Sequence, residues 1–358
     1  MNAQNFIFFS NCIPVYGTKY TAVCDLQNGK IYRFDANLKE LIQRIDSREP
    51  LDKLKEKYAQ EQEGLMSFLN YFSEKGIGIF TNEADSFPPL PIQWDHPGEV
   101  TNAVLDFVSG TDYSFQSVLE QLDAFRCKHV QLRFFEKISS ERLNGLLIDL
   151  KQSNVLSVDL IFNVEISLVE LNKLYAVSSK LNSVTIFNAK EDQIIGNLPF
   201  LISYLTRKIT NEKSCGLITQ EHLSTGLNLF MESHFHNNCL NRKVSIDKDG
   251  NVKNCPSMNW DYGSVSSGNI RDKMLQALNH PVSQIKKSEI AVCRDCEFRM
   301  VCTDCRAYLE NPADIYSKPL KCGYDPATGI WEDWSMNHLK TDAINFYEME
   351  DVILASHR

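Results

Sequence analysis

The chain has 358 residues, 43% apolar and 23% charged, a composition that fits a globular protein of two or three domains. Lys and Arg total 37 against 46 Asp and Glu, a formal charge of −9, which argues against nucleic acid as a partner. No run approaches the roughly 20 apolar residues of a membrane span. The uncharged start Met1-Asn2-Ala3-Gln4-Asn5, followed by the short apolar run Phe6 to Phe9, is not a signal peptide, so the expectation is a cytoplasmic protein without membrane contact.

Tyr20 to Leu26 and Lys30 to Phe34 flank Gln27-Asn28-Gly29, and Asn-Gly favours positive φ at both turn positions, which predicts a β-hairpin. Leu38, Leu41, Ile42 and Ile45 share one helical face. Pro50 opens a second helix with Leu51, Leu54 and Tyr58. Leu65, Phe68, Leu69 and Phe72 mark a third, which Gly76 ends before the short strand Ile77 to Phe80. A hairpin, three helices and a strand within residues 1–85 are winged-helix-like. That segment carries 10 Lys and Arg against 12 Asp and Glu, net −2, with no basic stripe. It therefore reads as a peptide-recognition domain, with an edge strand to pair with an extended peptide and a helical groove for apolar anchors. Pro88, Pro89, Pro91 and Pro97 mark residues 86–100 as a linker.

From Thr101 strands and helices alternate. Strands are predicted at 103–108, 129–134, 158–162 and 183–187. Helices run from Phe115 to Phe125, through Leu143, Leu146, Leu147 and Leu150, and through Leu168, Leu171, Leu174 and Tyr175. This is the pattern of a parallel α/β sheet over residues 101–212, open or a partial barrel. A full eight-unit barrel needs about 250 residues. From about Ser335 the tail, residues 335–358, is polar with no legible chemistry.

Eight of the eleven cysteines, Cys215, Cys239, Cys255, Cys293, Cys296, Cys302, Cys305 and Cys322, crowd the end of the chain, whereas Cys12, Cys24 and Cys127 are scattered. In a reducing compartment such a set reads as metal ligands rather than as a disulfide framework. Cys293-x2-Cys296 and Cys302-x2-Cys305 are five residues apart. Paired zinc knuckles are usually separated by about 12–20, so the packing favours iron–sulfur ligation, and eight thiolates match two four-thiolate sites. Between Cys239 and Cys255, Asp249-Gly250 turns a second hairpin that brings those two cysteines together at its open end. Asp247, Asp249 and Asn251 do not form an EF-hand, because Val252 stands where its glycine belongs and Met258 where its twelfth-position Glu belongs. His234 and His236 could supply a ligand if Cys215 does not, although lone histidines near a strand are more often structural. Cys12, Cys24 and Cys127 are read as small apolar core residues.

Cys239-x10-Gly250-x4-Cys255, Cys293-x2-Cys296-x5-Cys302-x2-Cys305 and Cys322 resemble the SPASM signature of radical SAM peptide-modifying enzymes. The one departure is two residues rather than three between Cys302 and Cys305, which leaves the role of Cys305 open. Cys239-Leu240-Asn241-Arg242-Lys243, Lys253 to Met258, Cys302 to Tyr308 and Lys318 to Tyr324 are similar to the SPASM-domain peptide maturases of grasp-with-spasm systems. The resemblance covers about residues 215–334. It implies a winged-helix-like domain (1–85), a degenerate radical-SAM-like βα domain (101–212) and a SPASM domain (213–334) with two 4Fe-4S clusters. Cys239, Cys255 and Cys305 would hold one, with Cys215, further upstream than usual, as candidate fourth ligand. Cys293, Cys296, Cys302 and Cys322 would hold the other. Arg242, Lys243, Arg294, Arg299 and Arg306 lie among these ligands and could offset cluster charge. The implied partners are a ribosomal precursor (leader) peptide and an ATP-grasp ligase.

A radical SAM enzyme needs Cys-x3-Cys-x2-Cys after its first barrel strand. Here Ser109-Gly110-Thr111-Asp112-Tyr113-Ser114 follows that strand, and no such triplet occurs in the chain. No SAM cleavage is expected, and no catalytic residue is assigned. Three readings remain: an iron–sulfur accessory factor in graspetide-type peptide maturation, a redox peptide-modifying enzyme, and a zinc-stabilised interaction module.

Overall fold

The computed structural model describes residues 4–163, 165–196 and 198–356; Met1 to Ala3 and the side chain of Leu168 lie outside the described residues. The first segment contains β1 (Asn5–Phe8), β2 (Cys12–Tyr16), β3 (Tyr20–Asp25), β4 (Lys30–Asp35), α1 (Lys39–Asp46), α2 (Leu51–Lys57), α3 (Gln62–Glu74) and β5 (Gly78–Thr81). The predicted hairpin is present, with β3 antiparallel to β4 from Tyr20 opposite Asp35 to Asp25 opposite Lys30. Its turn differs from the expected one. Only Gly29 takes positive φ, at 68°, because the Asp25 carboxylate accepts hydrogen bonds from the backbone N–H groups of Gln27 and Asn28 and from the Asn28 amide at 3.1, 3.0 and 2.8 Å. These bonds hold Asn28 out of the left-handed region.

β2 completes a sheet of order β2-β3-β4, while β1 pairs with β5. Strand alternation sends Cys12, Val23 and Phe34 to one face, where they join Leu41, Ile42, Ile45, Leu51, Leu54, Leu65, Leu69 and Phe72 of the three helices. Val15, Ala22 and Cys24 point the other way. They share a core with Phe230, Met231, Phe298, Met300, Val301, Cys302 and Tyr324 of the cysteine-rich region. This small sheet is thus buried on both faces, and the N-terminal segment is mounted on the end of the chain.

Residues 87–101 form neither helix nor strand. The elements that follow are β6 (Asn102–Phe107), α4 (Phe115–Ala124), β7 (His129–Phe134), α5 (Ser140–Gln152), β8 (Ser157–Phe162), α6 (Leu168–Leu174), β9 (Leu181–Phe187), β10 (Gln193–Ile195), β11 (Leu201–Leu205), α7 (Leu227–Phe235), β12 (Lys243–Ile246), β13 (Val252–Lys253) and α8 (Ile270–Leu278). Ser114, Ser139 and Ser167 cap α4, α5 and α6 by accepting from the N–H groups of Ser117, Arg142 and Glu170, and Glu170 closes a capping box at α6. The chain is mixed α/β with an eight-stranded sheet of order β10-β11-β9-β8-β7-β6-β12-β13. The sheet is parallel except for its end strands β10 and β13. Leu105, Phe107, Val130, Leu132, Val158, Leu160, Val184 and Ile186 line its covered face, against α4, α5 and α8.

The four predicted strands are present, and the sheet is twice as wide. The hairpin read as part of the cysteine-rich region belongs to it. β12 pairs in parallel with β6 because Val244 and Ile246 enter the same core as Ala103 and Leu105, so the sheet crosses the expected boundary at residue 212. The C-terminal stretch is also more structured than its polarity suggested. After the short hairpin β14 (Tyr324–Asp325) and β15 (Ile330–Trp331) come α9 (Thr341–Phe346) and α10 (Glu350–Ser356). Ala343, Ile344, Met349 and Val352 pack on Tyr308, Leu320 and Trp334. No helix among the described residues is long and apolar enough to cross a membrane.

Candidate metal centre: two groups of thiols

All eleven cysteines are free, and the eight at the chain end fall into two groups. Cys239 follows α7 in a turn held by the Asn237 side chain, whose oxygen accepts from the N–H groups of Cys239 and Leu240 at 3.0 and 2.9 Å. Cys255 leaves β13, so the β12–β13 hairpin carries both residues to its open end. Cys305 lies in an irregular turn. Cys215, the exposed member, follows a short 3-10 turn. The next residue, Gly216, has φ +84°, and a Cβ there would lie 3.0 Å from the Cys305 sulfur, so the chain passes closely over that thiol. Burial first, and then the neighbouring members of the group, push the Cys255 thiol up to about 11 and the Cys305 thiol up to about 12. Cys239 is raised by burial, while Lys243 works against the rise and Cys215 adds to it.

The second group is Cys293, Cys296, Cys302 and Cys322. Burial pushes Cys293 up to about 12; Lys287 opposes this, and Asp304, Cys322 and Cys302 add to it. Cys296 is raised by burial and then, among others, by Cys302 and Cys293. Cys302 is raised by burial, opposed by Lys287 and helped by Cys322. The structure thus brings together Cys215, Cys239, Cys255 and Cys305, and separately Cys293, Cys296, Cys302 and Cys322. Among the described residues no group of three or more His, Cys, Asp or Glu is arranged to hold a metal ion.

Of the five cations that could offset cluster charge, Lys243 has its Nζ 3.6 Å from the Cys239 sulfur, and Arg299 feels the Cys296 thiol. Arg242 donates to the His96 and Gly98 carbonyls and lies over the Trp94 ring. Arg299 donates to the carbonyls of Tyr16 and Cys296, both at 2.9 Å. Arg306 pairs with Asp304 at 2.8 Å and donates to the Ile315 and Ser317 carbonyls. Arg294 is exposed beside Asp295.

Sequence reasoning missed two buried lysines beside the thiols. Lys287, 4% exposed, puts its Nζ 2.8 Å from the Cys302 sulfur and donates to the Thr303 carbonyl at 3.0 Å. Burial works to lower this ammonium, and the nearby Cys302, Asp304 and Cys293 outweigh it, so its pKa is raised. Lys321, 2% exposed, donates to the carbonyls of Cys215 and Lys213 and lies over the Tyr308 ring at 4.8 Å. Burial brings it down to about 8, against the pull of Cys305 and Cys215. No motif marks Lys287. Lys321 was legible only as the neighbour of Cys322.

A buried polar strap links the groups. Asn237, which holds the Cys239 turn, donates to Asp304 at 2.6 Å, the Asp304 N–H donates to the Asn238 amide oxygen, and Asn238 donates to the Cys302 carbonyl at 2.9 Å. The two histidines lie elsewhere: His236 bonds to Gln284 and meets Trp94 edge-on, and His234 packs on Phe230. Cys12, Cys24 and Cys127 are buried, and burial pushes each thiol up to about 12.

Beneath the first group, the opposite face of the sheet carries a buried pair. Arg133 on β7 donates twice to Asp106 on β6, at 2.6 and 2.7 Å, near the carboxyl ends of the strands. Its guanidinium feels Cys215 and Cys255. The loop after β6 is held by Glu136, which accepts from the Ser109 N–H at 2.9 Å and hydroxyl at 2.5 Å. A cavity of about 420 Å³ lies beside it, lined by Phe107, Thr111, Asp112, Ile138 and Arg142 among others. A Ser/His/Asp arrangement, not found from sequence, sits at the opposite, amino ends. His129 lies 3.1 Å from the Ser157 hydroxyl and 3.2 Å from Asp159, which also accepts from Asn182 and Ser183. Burial opposes ionisation of Asp159, and these bonds override it and bring the carboxyl down to about 2. Strand register brings these residues together, which no local motif records. At the amino ends of parallel strands such a network ties β7, β8 and β9 together rather than presenting a nucleophile to substrate. No protein-family model matches this chain, and no curated protein matches it.

Proposed function

We propose that the chain is a SPASM-like iron–sulfur accessory factor in ribosomal peptide maturation of the graspetide type, and that its two thiol groups each hold a 4Fe-4S cluster. The donor chemistry fits such a group. Each group offers four soft thiols, with Cys293 and Cys302 buried and Cys215 exposed, and four sulfurs around a cluster stand further apart than four around a single ion. The observation that carries the reading is the charge around them. A buried ammonium needs a counter-charge. Lys287 is directed at the Cys302 sulfur, and the carboxylate nearest in influence, Asp304, is already paired with Arg306. Neutral thiols with raised pKa values offer no such charge, whereas thiolates around a cluster do. Bound clusters would supply electron-accepting centres and rigidity. The chain itself supplies the thiolates, the lysine counter-charges and the exclusion of water.

The N-terminal sheet supplies the second half of the proposal. β4 pairs only with β3 within its sheet. Beside it α3 presents Phe68 and Tyr71, both packed edge-on against Phe34, with Tyr71 39% exposed. An extended leader peptide can pair with that edge and seat an apolar anchor there. Without a Cys-x3-Cys-x2-Cys triplet the βα region serves as a scaffold, and an ATP-grasp ligase performs the chemistry.

Anaerobic purification followed by iron, sulfide and zinc analysis and EPR tests the clusters. A colourless protein that contains zinc would replace this reading with the zinc-stabilised module. Pulldown with precursor peptide and ligase tests the partners, and binding to neither would end the accessory-factor role. One observation favours the redox alternative: Cys215 is the single exposed thiol of its group, so the iron it holds is the one that could open to substrate. Peptide modification that survives complete loss of the clusters would eliminate that alternative.

A further inference from the structure

We infer that Lys287 is a potential-setting residue. Its ammonium, bonded to Cys302, stabilises the reduced form of the cluster held by Cys293, Cys296, Cys302 and Cys322, and of that cluster alone. The inference rests on the cluster reading and goes beyond it by assigning a redox consequence to one side chain.

Three features of the surroundings carry the argument. First, the side chain is almost fully withdrawn from water, between Ile285 and Ile290, which enter one apolar core with Leu240, Met258 and Cys293. No solvent is at hand to screen its charge. Second, the acceptors it reaches are the Cys302 sulfur at 2.8 Å and the Thr303 carbonyl at 3.0 Å. Arg306 already neutralises Asp304 through a pair that is itself buried. The lysine therefore bonds to the thiol group and to no carboxylate, and Asp304 acts on it through space, after Cys302. Third, the two groups differ. The corresponding lysine of the first group, Lys243, stands off at 3.6 Å from Cys239, and Lys321 spends its donors on the carbonyls of Cys215 and Lys213.

Hydrogen bonds to cluster sulfurs, local charge and solvent exposure set the reduction potential of iron–sulfur centres. Adding an electron makes the cluster more negative, so a fixed ammonium favours the reduced state. Removing it must lower the potential. The Thr303 contact has a separate, structural meaning, since it holds the turn between Cys302 and Cys305. A residue that acted only through that contact would change cluster retention without moving a potential.

The experiment is an EPR-monitored redox titration of the full-length protein, purified anaerobically, with iron and sulfide measured on the same samples and dithionite as reductant. Lys287→Met should retain its iron and sulfide and lower one of the two couples at least tenfold in its one-electron equilibrium constant, ~59 mV. The other couple should stay where it is. Lys287→Arg should stay near the wild-type value. If Lys287→Met fails to hold the cluster, Lys287→Gln decides, since it keeps a donor and drops the charge: a lowered couple supports the inference. Unmoved couples in a variant with full iron and sulfide would overturn it and leave the cluster reading standing. Wild-type protein without iron and sulfide would overturn both.

Discussion

The buried Asp106–Arg133 pair allows a quantitative test of what the carboxyl ends of β6 and β7 are for. Arg133 is 6% exposed and Asp106 1%, and two short charge-assisted bonds join them. Arg133→Met strips both bonds from a carboxyl that water does not reach, and removing one partner of such a pair costs about 3–5 kcal/mol. The loss depends on pH. Burial already raises the Asp106 carboxyl above its ordinary 3.8, and Arg133 pulls it back. Without Arg133 the folded-state value climbs further. Below 3.8 the carboxyl is neutral folded and unfolded, and the protein loses nothing. As pH rises towards the folded-state value the deficit grows, so the variant is worst at neutral pH. Asp106→Leu combined with Arg133→Met removes both charges together and should come within about 1 kcal/mol of wild type or exceed it. A chain with several cores need not unfold in one step, so hydrogen exchange of the β6 and β7 amides is the appropriate measurement, with urea denaturation alongside. If Arg133→Met cost under about 1 kcal/mol at neutral pH, the pair would not be desolvated. If the double variant were stable yet lost iron from the first thiol group, the guanidinium would be serving Cys215 and Cys255 rather than the sheet.

Four other outcomes are expected. Cys305→Ala and Cys322→Ala should each lose roughly half of the iron and sulfide, because they belong to different groups; loss of all of it from either variant would mean one shared centre. Metal-free protein should be intact below pH 9.0 and lose stability as pH climbs towards 12, because Cys255, Cys293 and Cys305 keep protons that unfolded thiols release. Loaded protein, its thiolates already deprotonated, should escape that share of the loss, and melting curves in alkaline buffers with and without iron would show it. Gly216→Ala should cost about 1–2 kcal/mol through its φ of +84° and loosen the first centre, whereas Gly145→Ala, in α5 with open space around its Cβ, should stabilise by about 0.4–1 kcal/mol. Leader peptide should bind more weakly to Cys322→Ala than to wild type, by a factor of about 5 or more in fluorescence anisotropy; equal affinities would show that the second centre and the β4 edge are uncoupled.

The sequence was most informative where one residue pattern has one meaning. Leu41, Ile42 and Ile45, or the alternation along His129 to Phe134, face a core on one side only, and α1 and β7 follow directly. β10 and β11 escaped because Ile194 and Leu201 are exposed, so no apolar alternation marks these outer strands. The segment from β12 to β13 was read correctly as a hairpin, but its attachment to β6 depends on a parallel pairing across more than a hundred residues, and local pattern is silent about that. α9 and α10 were missed because they are only six and seven residues long, and Asp342 and Asn345 interrupt the apolar face of α9. At the thiols, motif spacing by itself would put Cys302 and Cys305 on one site, and the division of the eight cysteines rested on the resemblance instead. Proximity in sequence failed for the cations: Arg242, Arg299 and Arg306 lie next to cysteines in sequence and turn to backbone carbonyls or a carboxylate, while Lys287, fifteen residues before Cys302, reaches its sulfur.

The double-sided burial of the β2–β4 sheet has a mechanical consequence for the proposed role. A peptide-recognition segment joined only by a flexible tether would hold its ligand anywhere within reach of that tether. Here Val15, Ala22 and Cys24 share a core with Cys302, Phe298 and Val301, and backbone bonds fix the β2–β3 turn, with Thr18 donating to the Asp295 carbonyl at 2.9 Å. Arg299, three residues after Cys296, donates to the Tyr16 carbonyl. The strand edge on offer to a peptide therefore belongs to the strand next to β3, and its own Ile31 packs against the core that Cys302 shares. Any ordering of that group on metal loading has to propagate into β2 and β3, because packed cores transmit displacement instead of absorbing it. On this architecture a cluster need not carry electrons to matter, since holding four thiolates in place also holds the surface on which a peptide would be read.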